Sequence, residues 1–209
     1  MSRRGSGRLS APVLRQQLAQ EAARLMSDHG IADFGLAKRK AAERFGVRHA
    51  GALPSNAQIE ACLAEHQRLF DSTELEERLR ELRAVALRVM QALADCSPRL
   101  VGPVLTGTAT VNTIPEVHVF SESIEAVADM LAGQGLTARH CEKRYRFGGG
   151  RIATYPGFRV AVDGAVVIVQ VFPENGLREA PLSSVDQRPM QRASTSRVME
   201  LLQQVGMEA

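Results

Sequence analysis

Residues 99–133 read RLVGPVLTGTATVNTIPEVHVFSESIEAVADMLAG and combine three structural signals in one short segment. A strand-like apolar run at 99–105 ends in the small residues 107–109. A second strand-like run follows at 116–120, and a helical pattern follows at 123–131. Small residues at the end of a strand let backbone N–H groups approach phosphates. The segment therefore predicts two strands, a small-residue turn between them and then a helix, an order that suits the binding of a phosphate chain.

The remainder of the second half has the pattern of a three-stranded meander. Its strand-like runs cover residues 137–147, 151–162 and 165–172. A glycine triplet at 148–150 joins the first two runs, and Asp163-Gly164 joins the last two. Asp-Gly between two alternating runs is a strong signal for a tight hairpin turn. A helical pattern follows near the end of the chain, and the second half therefore predicts a mixed sheet with flanking helices.

The first half reads as helical, with patterns that start near residues 12, 34, 55 and 73. Ser55 and Gln58 have the spacing of a capping box at the start of the third helix. The predicted fold class is therefore α+β. A helical N-terminal module at residues 11–97 precedes a domain at 98–209 that contains the mixed sheet.

Positive charge is concentrated in two zones of a chain whose net charge is only +3. Residues 1–48 hold ten Lys/Arg and four Asp/Glu, and residues 136–160 hold six Lys/Arg and one Glu. Residues 1–10 of the first zone are predicted to be a disordered basic tail. Two basic zones favour a polyanionic partner, which is either a nucleotide or a nucleic acid.

Strand alternation divides the cations of the second zone between the two faces of the predicted sheet. Arg139 and Lys143 fall on one face, and Arg144 and Arg146 fall on the other. One of these pairs would face a phosphate chain if the sheet binds such a ligand, whereas both pairs would be solvated if it does not.

The composition bounds the compartment of the protein. Three cysteines, an odd number, lie far apart and have no metal-binding spacing, which predicts reduced thiols and a cytoplasmic location. No apolar run approaches the ~20 residues that span a bilayer. The N-terminal residues lack the apolar segment of a secretory signal. We therefore expect neither a membrane partner nor a structural metal site.

Four segments of the chain resemble proteins of the nucleotidyltransferase superfamily, and in particular small bacterial members with a helical N-terminal region. They are PRLVGPVLTGTA at 98–109, VHVFSES at 117–123, LAKRKAA at 36–42 and RPMQRA at 188–193. The resemblance implies a nucleotidyltransferase-like mixed sheet that holds a triphosphate and its Mg²⁺ ions. It also implies that Gly107 and Thr108 lie in the phosphate-binding turn.

The acidic motif of that family is degenerate here. Two carboxylates normally lie two residues apart on one strand, so that both point to the same face and share the metal ions. Ile114 stands at the first of these positions and Glu116 at the second, while the run at 165–172 lacks the third carboxylate. Glu116 is thus the candidate metal ligand. Glu116 and His118, one strand period further, are the candidate catalytic residues.

The favoured interpretation is a catalytically impaired nucleotidyltransferase-like protein that binds a nucleotide, another phosphate-bearing ligand or a partner. Mg²⁺ is possible in this interpretation but is not required. An active Mg²⁺-dependent nucleotidyltransferase is the alternative if the sheet brings Glu122 or Asp163 close to Glu116.

A different interpretation assigns residues 12–48 to a helix-turn-helix that binds DNA. The second helix of this segment carries four cations, Lys38, Arg39, Lys40 and Arg44. They would contact backbone phosphates or base edges in the major groove. A helical hairpin with a charged outer surface has the same pattern, so the sequence leaves both possibilities open.

Overall fold

The structure is a computed structural model that describes residues 10–47, 50–70 and 72–204. The predicted basic tail lies outside these ranges except for its last residue. Two compact units divide the chain. The first holds the residues up to Phe70 together with Thr110–Asn112, and the second holds the remainder.

The first unit contains helices α1 (Ala11–His29), α2 (Phe34–Arg44) and α3 (Asn56–Phe70). Helix α1 ends at His29, because Gly30 adopts the left-handed conformation with φ of 61°. The predicted capping box at the start of α3 is confirmed. The backbone N–H of Ser55 donates to the Gln58 side chain at 2.9 Å, and the N–H of Gln58 donates to the Ser55 hydroxyl at 3.1 Å.

The second unit contains a five-stranded sheet and the remaining helices of the described residues. In chain order its elements are α4 (Ser72–Ala92), β1 (Arg99–Val101), α5 (Pro103–Thr106), β2 (Glu116–Phe120), α6 (Ile124–Gly133), β3 (Thr137–Arg146), β4 (Ile152–Val162), β5 (Ala165–Phe172) and α7 (Thr195–Gln204). The strand order is β1-β2-β5-β4-β3. Strands β2 and β5 are parallel and the other neighbours are antiparallel, which confirms the predicted mixed sheet. Within the described ranges, no helix is long and apolar enough to cross a membrane.

One face of the sheet packs on helices and the other carries polar and aromatic side chains. The first face forms a core from Leu82, Ala86 and Val89 of α4, Leu93 directly after it, Val127 and Leu131 of α6, and Val117, Val119, Val167 and Val169 of the central strands. Because side chains alternate along a strand, the intervening residues point to the opposite face. That face, which we call the site face, carries Glu116, His118 and Phe120 of β2, in register with Ile168, Gln170 and Phe172 of β5.

Two boundaries differ from the sequence prediction. The strand predicted at 99–105 ends at Val101, because Gly102 has φ of 73° and Pro103 starts the short helix α5. The predicted domain boundary at residue 97 groups α4 with the helical module, whereas the apolar side chains of α4 lie in the same core as the sheet. The long apolar stripe of α4 is therefore buried against the sheet, and the compact units divide near residue 70 instead.

The β3–β4 hairpin bends over the site face where its pairing with β5 stops. Strand β4 pairs with β5 only from Gly157 onward, and Pro156, which has no N–H to donate, comes directly before that point. Arg139 lies in the same row of the sheet as Glu116, and Tyr145 is six residues further along β3, about 20 Å away in a flat sheet. The Tyr145 hydroxyl nevertheless donates a hydrogen bond to Glu116. The hairpin must therefore curl back over the sheet.

We predict that Gly157→Ala destabilises the protein by about 2–3 kcal/mol, because the bend leaves no room for a methyl group. A Cβ at residue 157 would lie 2.2 Å from the Val169 carbonyl oxygen and 2.6 Å from Nε2 of Gln170. Urea unfolding followed by circular dichroism measures the effect. Gly133→Ala is the matched control, since its Cβ would meet nothing within 4 Å. Equal stability of the two variants would contradict the packing argument.

Candidate functional site

The site is built around the carboxylate of Glu116, which stands at the first position of β2. One oxygen, Oε2, accepts a hydrogen bond from Nζ of Lys143 at 2.5 Å. The other oxygen, Oε1, accepts from the Tyr145 hydroxyl and lies 3.3 Å from Nε2 of His118. Only 15% of the Glu116 side chain is exposed. Both oxygens of the carboxylate are thus engaged by protein groups.

The predicted candidates Glu116 and His118 are therefore brought together, but His118 is not exposed to a reactant. Its ring is fully buried and packs against Phe172 and Tyr145, with ring centroids 4.6 and 5.5 Å away. Burial lowers the pKa of His118 and keeps the imidazole neutral at pH 7. Since a carboxylate only accepts hydrogen bonds, Nε2 carries the proton. The buried Nδ1 is then an acceptor without a partner among the described residues.

The protonation states of Glu116 and Tyr145 follow from the same contacts. Burial alone would raise the pKa of Glu116, but the His118 hydrogen bond and the charge of Lys143 lower it to about 2. Burial and the charge of Glu116 both raise the pKa of Tyr145. At neutral pH the site thus holds an ionised carboxylate that accepts a hydrogen bond from a protonated phenol.

The predicted phosphate-binding residues Gly107 and Thr108 lie at the C-terminal end of α5. Their backbone N–H groups both donate to the Pro103 carbonyl, at 2.8 and 3.1 Å. These N–H groups close the helical turn and are not directed at a ligand. Phosphate binding by this turn stays a prediction, and it would require groups other than these two donors.

The carboxylates that could have completed a magnesium site lie elsewhere. Asp163, in the left-handed conformation of the β4–β5 turn, pairs with Arg88 of α4 on the opposite side of the sheet. Glu122 is six residues beyond Glu116, about 20 Å along the chain, and accepts the N–H of Glu174. No group of three or more His, Cys, Asp or Glu side chains that could hold a metal ion occurs in the described ranges. The donors around Glu116 do not fit Mg²⁺, which prefers several oxygen ligands.

Sequence reasoning did not single out Arg192, which lies between β5 and α7 on the site face. Its guanidinium stands over the Phe120 ring at 5.0 Å and near the Phe172 ring at 5.6 Å. Nη1 donates to the Gly176 carbonyl at 2.9 Å, while Nε and Nη2 are buried without a partner among the described residues. Burial and the nearby charge of Arg99 lower the pKa of Arg192. The one indication of Arg192 in the sequence is that it falls within residues 188–193, one of the four segments that resemble the nucleotidyltransferase superfamily.

The four cations predicted to contact DNA lie on α2 in the first unit. Arg44 pairs with Glu21 of α1, and Lys38 is half-buried, which lowers its pKa. Arg39 and Lys40 are exposed. The exposed cationic surface of α2 is thus narrower than the sequence suggests, and DNA binding by this helix stays a prediction.

Comparison with known proteins gives no match for this chain, neither among protein-family models nor among curated proteins.

We predict that Glu116→Gln makes stability less sensitive to acid. A carboxyl whose pKa falls from 4.5 to about 2 on folding stabilises the protein above pH 4.5, and this contribution is lost as the pH falls toward 2. The difference in free energy of unfolding between wild type and variant should therefore shrink by roughly 3 kcal/mol between pH 5.5 and 2.5. Urea unfolding at each pH measures it, with Glu142→Gln on the other face of β3 as control. A difference independent of pH would contradict the assigned ion pair.

Proposed function

We propose that this chain is a nucleotidyltransferase-like protein that binds a nucleotide, or another phosphate-bearing ligand, on its site face without Mg²⁺-dependent transfer. The observation that carries the proposal is the 2.5 Å contact between Lys143 and Glu116. The carboxylate that corresponds to a metal ligand in the resembled family is neutralised here by an amine of the same chain. Lys143 supplies a positive charge at the position where the resembled family would use a metal ion.

The balance of charge on the site face supports an anionic ligand. Glu116 is the acidic group of the site, and it faces a larger set of cations. These are Lys143, Arg99 and Arg192. Focusing of one sign of charge in a site raises the local concentration of an oppositely charged ligand. A phosphate chain is the common biological ligand with that charge.

Arg192 supplies a second argument for phosphate. Its Nε and Nη2 form the fork that binds two oxygens of a carboxylate or phosphate group with two parallel hydrogen bonds. A buried charged donor without an acceptor costs about 1–3 kcal/mol or more. Nε and Nη2 of Arg192 are buried donors without an acceptor among the described residues. One phosphate group would satisfy both nitrogens. The aromatic rings below the guanidinium hold it in place through cation–π contacts.

The donor set argues against transfer as the present role. Nucleotidyl transfer needs carboxylates that share two metal ions on the same face. In the described part of the chain Glu116 has no such partner, because Asp163 and Glu122 are engaged elsewhere. His118 is neutral and buried, so it is poorly placed to exchange a proton with a ligand in solution. Glu116 and His118 therefore fit a role in binding without turnover.

We predict that ATP stabilises the protein equally in EDTA and in MgCl₂. At one hundred times the dissociation constant, the gain should be about 2.7 kcal/mol. Lys143→Met should weaken ATP binding by about tenfold or more, because a charge-assisted contact to phosphate is worth about 1.5–3 kcal/mol. Thermal unfolding and calorimetric titration measure both effects.

Arg144→Met is the matched control, since Arg144 is the neighbouring cation on the opposite face of β3. Binding that requires MgCl₂, is lost in Glu116→Gln and is accompanied by pyrophosphate release would establish the active enzyme instead. The absence of any ATP-dependent stabilisation would overturn the proposal.

A further inference from the structure

Two arginines stand directly opposite each other on the site face. Arg139 of β3 and Arg159 of β4 are partners in the sheet register, and both are exposed. No ion pair of either residue is found in the described part of the chain. Like charges directly opposite in a sheet are destabilising. Among the described residues no ion pair offsets this repulsion, so the pair points to an anion that comes from outside the chain.

The other cations of the same hairpin do not show this arrangement. Arg144 is opposite Thr154, and Arg146 is opposite Ile152. Both lie on the face away from Glu116. In this hairpin, two cations are thus directly opposite each other only on the face that holds the candidate site.

The arginine pair lies in the same row of the sheet as Glu116. The register runs from Glu116 to Ile168, Arg159 and Arg139. Neighbouring strands are about 4.8 Å apart, so Arg159 is about 10 Å and Arg139 about 14 Å from Glu116 at the backbone. Cys141 and Lys143 follow Arg139 on the same face of β3, and Lys143 contacts Glu116, so the pair and the site share one surface. Half-exposed Ile168 separates the pair from the site and offers an apolar surface between them.

We propose that Arg139 and Arg159 form a second phosphate subsite, which holds the backbone of a single-stranded nucleic acid whose terminal nucleotide occupies the site around Lys143. This inference rests on the proposed function and extends its ligand from a nucleotide to a strand. Proteins that bind single strands combine a basic track for the backbone with apolar or aromatic surfaces for the bases. The row from Glu116 to Arg139 has that composition. The row is about 14 Å long at the backbone, which is longer than the phosphates of one nucleotide bound at Lys143 would need.

The test compares ATP with single-stranded oligonucleotides of two, four and six nucleotides, all in EDTA, by fluorescence anisotropy and calorimetric titration. Affinity should rise about tenfold from two to six nucleotides. The double variant Arg139→Gln, Arg159→Gln should lose this gain and leave ATP binding unchanged. Its slope of log affinity against log salt should be smaller by about 1.4, since each lost single-strand phosphate contact removes about 0.7.

The control is the double variant Arg144→Gln, Arg146→Gln, which removes the same charge from the opposite face. The Arg139→Gln, Arg159→Gln protein should also melt at a temperature no lower than wild type, because the substitution relieves repulsion. If ATP binds but oligonucleotide length has no effect, or if the control loses as much affinity, the subsite is overturned while the proposed function stands. If neither ATP nor any oligonucleotide binds, both are overturned.

Discussion

The nearly buried charge of Glu116 is the constraint that organises the second unit. An ionised carboxylate at that depth requires positive charge and hydrogen-bond donors close by. The sheet supplies one donor on the same strand, His118, whereas Lys143 and Tyr145 come from the hairpin. Contact with those two residues requires the hairpin to curl over the site face. The bend at Gly157 and the charge state of Glu116 therefore depend on each other.

Aromatic packing reinforces the same contact from the hairpin side. Tyr155 stacks against Phe172 with ring centroids 4.4 Å apart, and Tyr145 lies 5.2 Å from the same ring. Phe147 and Phe120 complete this small cluster. Apolar packing holds the hairpin in place, and the polar contacts to Glu116 fix its position. Together these contacts hold the hairpin against the site face, beside its cations.

Local signals predicted most of the sheet, and long-range contacts explain what they missed. Strand β2 and the Asp163-Gly164 turn follow from alternation and from a turn type that needs positive φ at both residues, observed at 49° and 78°. The apolar residues at 99–105 predict a first strand that continues past Gly102 and Pro103. In the structure the positive φ of Gly102 and the start of α5 at Pro103 end the strand. The partnership of Tyr145 with Glu116 joins residues 29 apart and depends on the bend, so no pattern in the sequence reveals it. The family resemblance points to Glu116, and the strand period places His118 on the same face.

The parallel pairing of β2 with β5 sets the order in which the protein can assemble. Glu116 aligns with Ile168, a loop closure of 52 residues, whereas the β3–β4 hairpin closes locally across the glycine triplet. A long loop closes more slowly than a hairpin forms, because its closure costs more conformational entropy. During synthesis, β2 must therefore wait for β5 to leave the ribosome. Until then the Glu116 carboxylate is hydrated and has an ordinary acidity, and the candidate site does not exist in the nascent chain.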